Sequence, residues 1–173
     1  MRIIAGRWKG RRIDTLPGEA VRPTGDRVRE AWMSIVHGDL PDARVLDLCA
    51  GSGALGLESL SRGAATCDFV EQSPRVLAVI ERNLAALGGH DGARILRDDA
   101  VRFVQRLPAG AYDVAFADPP YAAETAHQLA EQWLAVPFAA VFAIEHSSAV
   151  VMPSFGETRR YGTSALTFFR ADP

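Results

Sequence analysis

The feature that most constrains the fold of this chain is a glycine pattern that directly follows an apolar run. Residues 45–48 are Val-Leu-Asp-Leu, and Gly51, Gly53 and Gly56 follow in Gly-x-Gly-x-x-Gly spacing around the start of the helix-forming stretch 54–60. The glycines permit a tight turn and let a ligand approach the backbone closely. This order of strand, turn and helix predicts an α/β fold with a ligand-binding loop.

Acidic residues near this loop indicate the kind of ligand. Asp47 lies at the end of the first strand, four positions before Gly51, where its charge would oppose an anionic pyrophosphate. A dinucleotide, which the glycine spacing alone also fits, is therefore disfavoured, and a cationic ligand with an amino group is favoured. The next strand, 66–70, ends at Glu71. A carboxylate about twenty residues after such a loop is expected to accept hydrogen bonds from ribose hydroxyls.

A second motif, Asp118-Pro119-Pro120-Tyr121, ends another apolar run at residues 112–117. This pattern indicates a buried parallel strand that stops at the carboxyl edge of the sheet, where open α/β sheets bind their ligands. The two prolines stiffen the backbone and leave its carbonyl groups free to accept hydrogen bonds. Asp118 adds a carboxylate acceptor and Tyr121 adds an aromatic face. The motif therefore suits a planar ring that carries an exocyclic NH2 group.

The remaining chain alternates strand and helix patterns, which predicts a single doubly wound α/β domain over residues 1–173. We expect helices at 54–62, 74–87, 100–107 and 123–135, strands at 93–96 and 139–145, and a closing hairpin of 157–161 with 165–170. Residues 2–13 have the pattern of a hairpin, and apolar spacing predicts a helix from Thr24 to about His37. A basic extension over 1–40 therefore precedes a catalytic core over 41–173.

Together these motifs resemble the class I S-adenosylmethionine-dependent methyltransferases, which have four such motifs in this order. The resemblance implies a mostly parallel, seven-stranded, Rossmann-like sheet with an antiparallel strand inserted at one end. It also implies that Asp47 and the glycine loop hold the methionine part of S-adenosylmethionine, that Glu71 binds the ribose and that Asp99 lies against the adenine. The cofactor-binding set implied in this way is Asp47, Ala50, Gly51, Ser52, Gly53, Gly56, Glu71, Gln72, Asp99, Ala100 and Asp118. The catalytic set is the amine-methylating motif Asp118, Pro119, Pro120 and Tyr121.

Within that class the chain resembles the bacterial RsmD family from end to end. The matching segments are residues 2–6, 9–11, 22–24, 26–30, 47–53 and 161–166. That family methylates the exocyclic N2 of one guanine in small-subunit (16S) ribosomal RNA. The resemblance implies the same activity and the same RNA partner here, either naked or within an assembling ribosomal subunit. Residues 32–35, Trp-Met-Ser-Ile, depart from the phenylalanine-asparagine pair expected before the isoleucine, and the segment 145–153 is shorter than expected.

The N-terminal thirty residues are basic, while the rest of the chain is acidic. Residues 1–30 hold eight basic and four acidic side chains, a net of +4, whereas the whole chain has a net of −2. This distribution predicts binding to a polyanion. A solvated arginine-rich face is the alternative, since 18 of the 19 basic residues are arginine. The predicted RNA contacts are Arg2, Arg7, Lys9, Arg11, Arg12, Arg22, Thr24, Arg27 and Arg29. Trp8 and Trp32 could stack on bases, although the helical stripe that contains Trp32 favours packing.

Two other functions fit parts of the sequence. DNA amino-methyltransferases that act on adenine N6 or cytosine N4 also use Asp-Pro-Pro-Tyr. They usually add a target-recognition region, and only about sixty-five residues separate Gly53 from Asp118, all of them needed for core elements. A protein or small-molecule N-methyltransferase is the second alternative, and it would not need the basic N-terminal segment.

Other classes of function find no support in the composition. No apolar stretch is long enough to cross a bilayer, and the four histidines lack metal-ligand spacing, so neither a membrane nor a metal is expected. Cys49 and Cys67 lack CxxC spacing and are expected to pack as small apolar residues in a reducing cytoplasm. A nucleophilic Cys49 is not needed for methyl transfer from a sulfonium. We therefore expect a cytoplasmic monomer.

Overall fold

The computed structural model describes residues 1–17, 23–89, 91–120 and 123–172, with the side chains of residues 23, 24 and 123 outside this description. The helices are α1 (Pro23–Ile35), α2 (Ala54–Ser61), α3 (Pro74–Ala86), α4 (Ala100–Val104) and α5 (Ala123–Ala135), with a short 3-10 helix at His37–Asp39. The strands are β1 (Arg44–Leu48), β2 (Thr66–Glu71), β3 (Ala93–Arg97), β4 (Tyr112–Ala117), β5 (Ala139–Ser147), β6 (Glu157–Tyr161) and β7 (Ser164–Arg170). Strands and helices alternate from β1 to β5, as the sequence predicts.

The seven described strands form one sheet in the order β3-β2-β1-β4-β5-β7-β6. Strands β1 to β5 pair in parallel, and β7 pairs antiparallel with both β5 and β6. The chain starts in the middle at β1, moves outward to β3, and then continues with β4 on the other side of β1. This arrangement confirms the predicted doubly wound, mostly parallel sheet with an inserted antiparallel strand. Ligands of such sheets bind where the strand order reverses, here between β1 and β4.

Both faces of the sheet are covered, which explains why its central strands are apolar along their length. Every residue of β4 except Asp113 is buried. One face packs against α1, α2 and α3 through a cluster that contains Trp32 and Ile80. The other face packs against α4 and α5 through a cluster that contains Trp133 and Phe142. The apolar core therefore consists of two layers, one on each side of the sheet.

Side-chain alternation along the strands decides on which face the strand-end carboxylates lie. Phe116 on β4 and Ala143 on β5 belong to the cluster beneath α1, α2 and α3. Glu145, two positions farther along β5, therefore points to the same side, and Asp118 is the first residue after β4. Asp47 on β1 aligns with Phe116 in the parallel register and points to that side too. The carboxyl edge of the sheet thus carries its acidic side chains beneath α1.

The N-terminal segment, residues 1–14, folds back on itself as a short antiparallel hairpin, as the sequence predicts. Arg2 and Arg12 form the bridge, and the N–H groups of Ile3 and Ile13 donate to the carbonyl groups of Arg11 and Met1 at 3.0 and 3.1 Å. The two residues after Ile3 bind α2 instead of a second strand. The Ile4 and Ala5 N–H groups donate to the buried Glu58 carboxylate on α2 at 2.9 and 3.0 Å. Donors used in this way are not available to a second strand. The paired part of the hairpin therefore stays short.

Gly6 explains how closely the N-terminal segment packs on α2. Its φ of +83° lies in the left-handed region, and a Cβ built there would lie 1.8 Å from the Ser61 carbonyl oxygen. The Arg7 N–H donates to the same oxygen at 2.8 Å, and the Trp8 N–H donates to the Ser61 hydroxyl at 3.0 Å. Any larger residue at position 6 would push the segment away from α2.

The fourth helix is shorter than the sequence predicts: α4 ends at Val104, whereas the expected end is residue 107. Leu107 precedes Pro108, and the residue before a proline disfavours the α conformation. The Arg106 and Leu107 N–H groups instead donate to carbonyl groups three residues earlier, at 3.2 and 3.1 Å. The last predicted turn is therefore a tighter turn of the 3-10 type.

Candidate active site

A cavity of about 990 Å³ opens between the carboxyl edge of the sheet and α1. Ligand pockets typically measure about 300–1,000 Å³, so this one has room for a cofactor and part of a second reactant. Many of the residues singled out by the sequence line it, namely Arg29, Asp47, Ala50, Gly51, Ser52, Glu71, Gln72, Ala100, Asp118, Pro119 and Pro120. The separate motifs of the sequence therefore meet in one cavity.

The cavity has a strongly acidic environment around Cys49, which lines it directly after β1. Burial raises the pKa of the Cys49 thiol to about 12, and the carboxylates of Glu71, Asp118, Asp47 and Asp99 add to the rise. A thiol with this pKa stays protonated at neutral pH, which argues against Cys49 as a nucleophile. The same carboxylates would attract a cationic ligand.

The glycine loop is tied to the end of β1 by Asp47. The Gly56 N–H, in the first turn of α2, donates to Asp47 Oδ2 at 2.9 Å. Gly56 itself packs against β2, since a Cβ there would lie 2.3 Å from the Phe69 ring and 2.6 Å from Cys67 Sγ. Gly56 and the N-cap residue Gly53 lie behind the cavity wall, whereas Gly51 is part of it.

Glu71 joins the glycine loop to the end of β2. Its Oε1 accepts from the Gln72 and Ser73 N–H groups at 2.8 and 3.1 Å, and its Oε2 accepts from the Gly51 N–H at 3.4 Å. Gln72 in turn donates through Nε2 to Asp99 Oδ2 at 2.5 Å. These contacts connect the ends of β1, β2 and β3 along one wall of the cavity.

Asp99 serves as the N-cap of α4, because its Oδ1 accepts from the Arg102 N–H at 2.9 Å. The residues on either side of it, Asp98 and Ala100, line the cavity, and Asp99 contacts the cavity residue Gln72. The Arg106 guanidinium, hydrogen-bonded to Asp98, holds the pKa of that carboxyl below its usual value. Asp98 thus adds an acidic group at this wall beside the predicted Asp99, which itself contributes to the raised pKa of Cys49.

Asp118, Pro119 and Pro120 line the cavity directly after β4. Pro119 is buried, whereas Asp118 and Pro120 are exposed. Tyr121, the last residue of the motif, lies outside the described residues. Since β4 lies between β1 and β5, Asp118 stands between the wall formed by β1 to β3 and the end of β5.

Helix α1 covers the cavity and contributes Arg29 and Trp32 to its wall. Trp32 is 2% exposed and packs edge-on against Phe116 with ring centroids 5.9 Å apart, which confirms its interpretation as a packing residue. Arg29 is 5% exposed, and its Nη2 donates to the Arg2 carbonyl at 2.7 Å and to Asp26 at 3.2 Å. Arg29 therefore holds the N-terminal segment on α1 from inside and does not face bulk solvent.

The other predicted RNA contacts differ in their surroundings. The exposed ones are Arg2, Arg7, Lys9, Arg11, Arg12 and Arg27. The Arg7 guanidinium lies 4.1 Å from the centre of the Trp8 ring, and Trp8 is only 6% exposed, so this ring is covered. Arg22 lies outside the described residues, and Thr24 lies in the first turn of α1 with its side chain outside the description.

The end of β5 contributes cavity residues to which the sequence reasoning gives no role. Glu145, His146 and Ser147 all line the cavity. Because a carbonyl oxygen only accepts, His146 Nδ1 donates to the Ser147 carbonyl at 2.9 Å, and Nε2 then accepts from the Thr167 hydroxyl at 2.7 Å. Burial lowers the pKa of His146, which favours this neutral form. An acidic residue directly after an apolar run is the signal that could have identified Glu145.

A smaller cavity of about 320 Å³ is lined by Asp68, Arg94 and Tyr112 among other residues. Asp68 accepts from the Tyr112 hydroxyl at 2.5 Å and pairs with Arg94 at 2.5 Å, so these polar groups bind one another. Within the described ranges, no three His, Cys, Asp or Glu side chains are grouped as metal ligands. No helix in that part of the chain is both long and apolar enough to cross a membrane.

Comparison with known proteins decides the family. The family model described as Conserved hypothetical protein 95 matches residues 1–170. The Ribosomal RNA small subunit methyltransferase D of Haemophilus influenzae is 37% identical over 132 residues, which cover 74% of this chain and 67% of that protein. The chain belongs to the RsmD family. The resemblance stated from the sequence is thereby confirmed.

Two further relatives show how much of the chain is shared with known proteins. The Ribosomal RNA small subunit methyltransferase D of Escherichia coli K12 is 39% identical over 121 residues, or 70% of this chain, and the match spans 60% of the length of that protein. The solved structure of a hypothetical protein from Thermus thermophilus has a TM-score of 0.83 at 30% identity, covering 99% of both chains. The structural likeness therefore includes the N-terminal segment as well as the sheet.

Proposed function

We propose that this RsmD-family protein transfers a methyl group from S-adenosylmethionine to the exocyclic N2 amine of a guanine in small-subunit ribosomal RNA. The observation that carries the proposal is the cavity wall shared by Glu71, Asp47 and Asp118. These residues follow or end the adjacent strands β2, β1 and β4. Membership of the RsmD family supports ribosomal RNA as the methyl acceptor.

The residues of the cavity fit S-adenosylmethionine. The carboxylates that raise the pKa of the Cys49 thiol suit a ligand with cationic ammonium and sulfonium groups. Glu71, at the end of β2, has the carboxylate expected for a ribose diol, and Gly51 leaves room for close approach to the loop backbone. When bound, S-adenosylmethionine supplies an electrophilic methyl group, so the protein itself needs no nucleophile.

The strand order separates the two reactants in this proposal. The ends of β2 and β1 provide Glu71 and Asp47 for the cofactor, while β4 and β5 provide Asp118 and Glu145 on the other side. Asp118 therefore lies between the proposed cofactor site and the proposed site of the base, where the methyl group would be transferred to the amine. A cavity of about 990 Å³ has room for both.

The lone pair of guanine N2 is delocalised into the ring, so the main task of the protein is positioning. Asp118 and the Pro119 carbonyl accept hydrogen bonds from the two amine hydrogens and thereby turn the lone pair toward the methyl group. The prolines have no N–H group that would compete for these acceptors. Asp118 can also take the proton released on transfer, as can water. The base has to leave its stack to reach the cavity, and we assign Tyr121 the role of stacking on it.

The basic N-terminal segment is proposed to bind the RNA backbone. Arg2, Arg7, Lys9, Arg11 and Arg12 are exposed on it, as phosphate contacts require. Glu58 and Arg29 fix the segment to α2 and α1, next to the cavity. The segment can therefore hold RNA in a defined position relative to the cavity.

Methyl transfer to a panel of acceptors tests the proposed function. The purified protein would be incubated with methyl-labelled S-adenosylmethionine and, in parallel, with undermethylated small ribosomal subunits, naked small-subunit RNA, duplex DNA and ribosomal protein. We expect label in the RNA of the first two samples alone. Label in DNA or in protein, with unlabelled RNA, would point to one of the two alternative classes of methyltransferase.

A further inference from the structure

The bases that carry an exocyclic amine differ in the ring nitrogen beside it. Guanine N2 lies next to the N1–H donor, whereas adenine N6 lies next to N1 and cytosine N4 next to N3, both of which are acceptors. Enzymes that take a base out of its stack recognise it by hydrogen bonds to this Watson–Crick edge. A site that selects guanine therefore needs a second acceptor beside the one that binds the amine. The same acceptor repels the ring nitrogen of adenine or cytosine.

Glu145 is such a second acceptor. The parallel register pairs Ala117, the last residue of β4, with Ile144 of β5. Asp118 therefore follows β4 next to Glu145, which lies within β5. Neighbouring strands lie about 4.7–4.9 Å apart. Asp118 and Glu145 both line the cavity, and Glu145 is half-buried. The cavity thus has two neighbouring carboxylates, one directly after β4 and one near the end of β5.

Glu145 lies on the side of Asp118 that faces away from the proposed cofactor wall. In the strand order β2-β1-β4-β5, Glu71 and Asp47 come before Asp118, and Glu145 comes after it. A base whose amine meets Asp118 beside the methyl group would therefore present the neighbouring group of its edge to Glu145. In guanine that group is N1–H.

The end of β5 is held firmly, as a residue that determines specificity requires. Glu145 aligns with Leu166 in the antiparallel ladder between β5 and β7. The adjacent His146 is bonded to the Thr167 hydroxyl at 2.7 Å, and that hydroxyl contacts the Thr158 hydroxyl at 2.8 Å. These contacts connect β5, β7 and β6 directly beside Glu145.

We infer that Glu145 accepts a hydrogen bond from N1–H of the target guanine and thereby selects guanine over adenine and cytosine. The inference rests on the proposed function, because it requires an amine that is methylated beside Asp118. Two neighbouring carboxylates disfavour each other's charge, and a base edge with two adjacent donors relieves this repulsion. Glu145 makes and breaks no covalent bond; it determines specificity.

2-Aminopurine keeps the 2-amine but has neither a hydrogen on N1 nor an oxygen on C6. The part of the preference for guanine that is lost in Glu145→Ala therefore reports the contact to N1–H. The experiment compares kcat/KM for the same small-subunit RNA with either guanine or 2-aminopurine at the methylated position. For the unmodified protein we expect guanine to be preferred about 10- to 100-fold, the factor that one charge-assisted hydrogen bond provides. Glu145→Ala should bring this ratio close to one.

Two further variants complete the test. Glu145→Gln keeps the shape of the side chain, but its amide can also donate to N1 of 2-aminopurine. This variant should therefore also lower the ratio of kcat/KM for guanine to kcat/KM for 2-aminopurine. Glu131→Ala removes an exposed carboxylate from α5 and should keep the full preference. The affinity for S-adenosylhomocysteine, measured by calorimetry, should be the same in all variants.

The possible outcomes distinguish the inference from the proposed function. The inference is supported if Glu145→Ala loses the kcat/KM preference for guanine over 2-aminopurine while its affinity for S-adenosylhomocysteine is unchanged. A preference for guanine that survives both Glu145 substitutions overturns the inference and leaves the proposed function standing. An unmodified protein that methylates neither RNA overturns the proposed function and the inference with it.

Discussion

At the scale of single residues, Asp118 has the most demanding task in the proposed reaction. It lines the cavity between the cofactor wall and the end of β5, where the amine has to be aligned with the methyl group. We expect Asp118→Ala to lower the rate of single-turnover methylation about 10²- to 10⁴-fold, the range of lost positioning or general-base help. Rapid-quench measurement of labelled RNA gives this rate, with S-adenosylhomocysteine affinity as the control. Near-normal turnover would remove Asp118 from the reaction.

Glu71 is the residue that most directly tests the cofactor site. Losing a hydrogen bond to a charged group costs about 1.5–3 kcal/mol, so Glu71→Ala should weaken S-adenosylhomocysteine binding about 10- to 100-fold in calorimetry. Glu81→Ala, which removes an exposed carboxylate from α3, is the matched control. Equal affinities in the two variants would exclude Glu71 from the cofactor site.

Cys49 should be unreactive although it lines the cavity. With a thiol pKa of about 12, only about one molecule in 10⁴ is a thiolate at pH 8. We expect iodoacetamide to alkylate Cys49 at least about a hundredfold more slowly than a free cysteine peptide, and the fully buried Cys67 also to resist. Peptide mapping by mass spectrometry measures both rates. Rapid modification of Cys49 in the folded protein would contradict the burial and the acidic environment described for this thiol.

At the scale of elements, α2 supports the glycine loop at its start and the N-terminal segment along its side. The fully buried Glu58 on α2 accepts from the Ile4 and Ala5 N–H groups and pairs with Arg62 at 2.9 Å. Removing one partner of a buried charged network costs about 3–5 kcal/mol. We expect Glu58→Ala to lower the free energy of unfolding by about that amount in urea, whereas Glu131→Ala should change it by less than about 0.5 kcal/mol. A decrease below about 1 kcal/mol would show that the N-terminal segment is held by other contacts.

The elements of the core were predictable because their signals are local. The apolar stretch of β4 ends at a proline pair, and α5 spans Ala123–Ala135 as its periodicity indicates. The attachment of the N-terminal hairpin to α2 was not predictable, because the partners of its main chain include the carboxylate of Glu58, more than fifty residues away. No local pattern contains such a contact.

The candidate site was predictable where the end of a strand alone positions a side chain. Asp47, Glu71 and Asp118 all line the same cavity for this reason. The positions of the Gly56 backbone and the Arg29 side chain depend instead on how separate elements pack. Gly56 fits against β2, and Arg29 points inward from α1. Spacing in the sequence gives no information on these orientations.

At the scale of the whole molecule, charge is distributed unevenly, with a basic N-terminal segment on an acidic core. Neutralising the exposed Arg7, Lys9, Arg11 and Arg12 should weaken RNA binding and flatten its salt dependence. The slope of log K against log salt should fall by about 0.7–0.9 for each phosphate that is no longer neutralised by a basic side chain. Fluorescence anisotropy at several salt concentrations measures this slope. An unchanged slope would mean that these four basic side chains form a solvated face that does not bind RNA. The control is Arg44→Gln, which removes a basic side chain at the amino end of β1.

The proposed function makes a definite statement about which nucleoside carries the new methyl group. Undermethylated small subunits would be incubated with S-adenosylmethionine and the protein, and their RNA would be digested to nucleosides for mass spectrometry. The proposed function predicts N2-methylguanosine as the product, and its yield should fall sharply in Asp118→Ala. N6-methyladenosine or N4-methylcytosine in the digest, or RNA without any new methyl group, would contradict it.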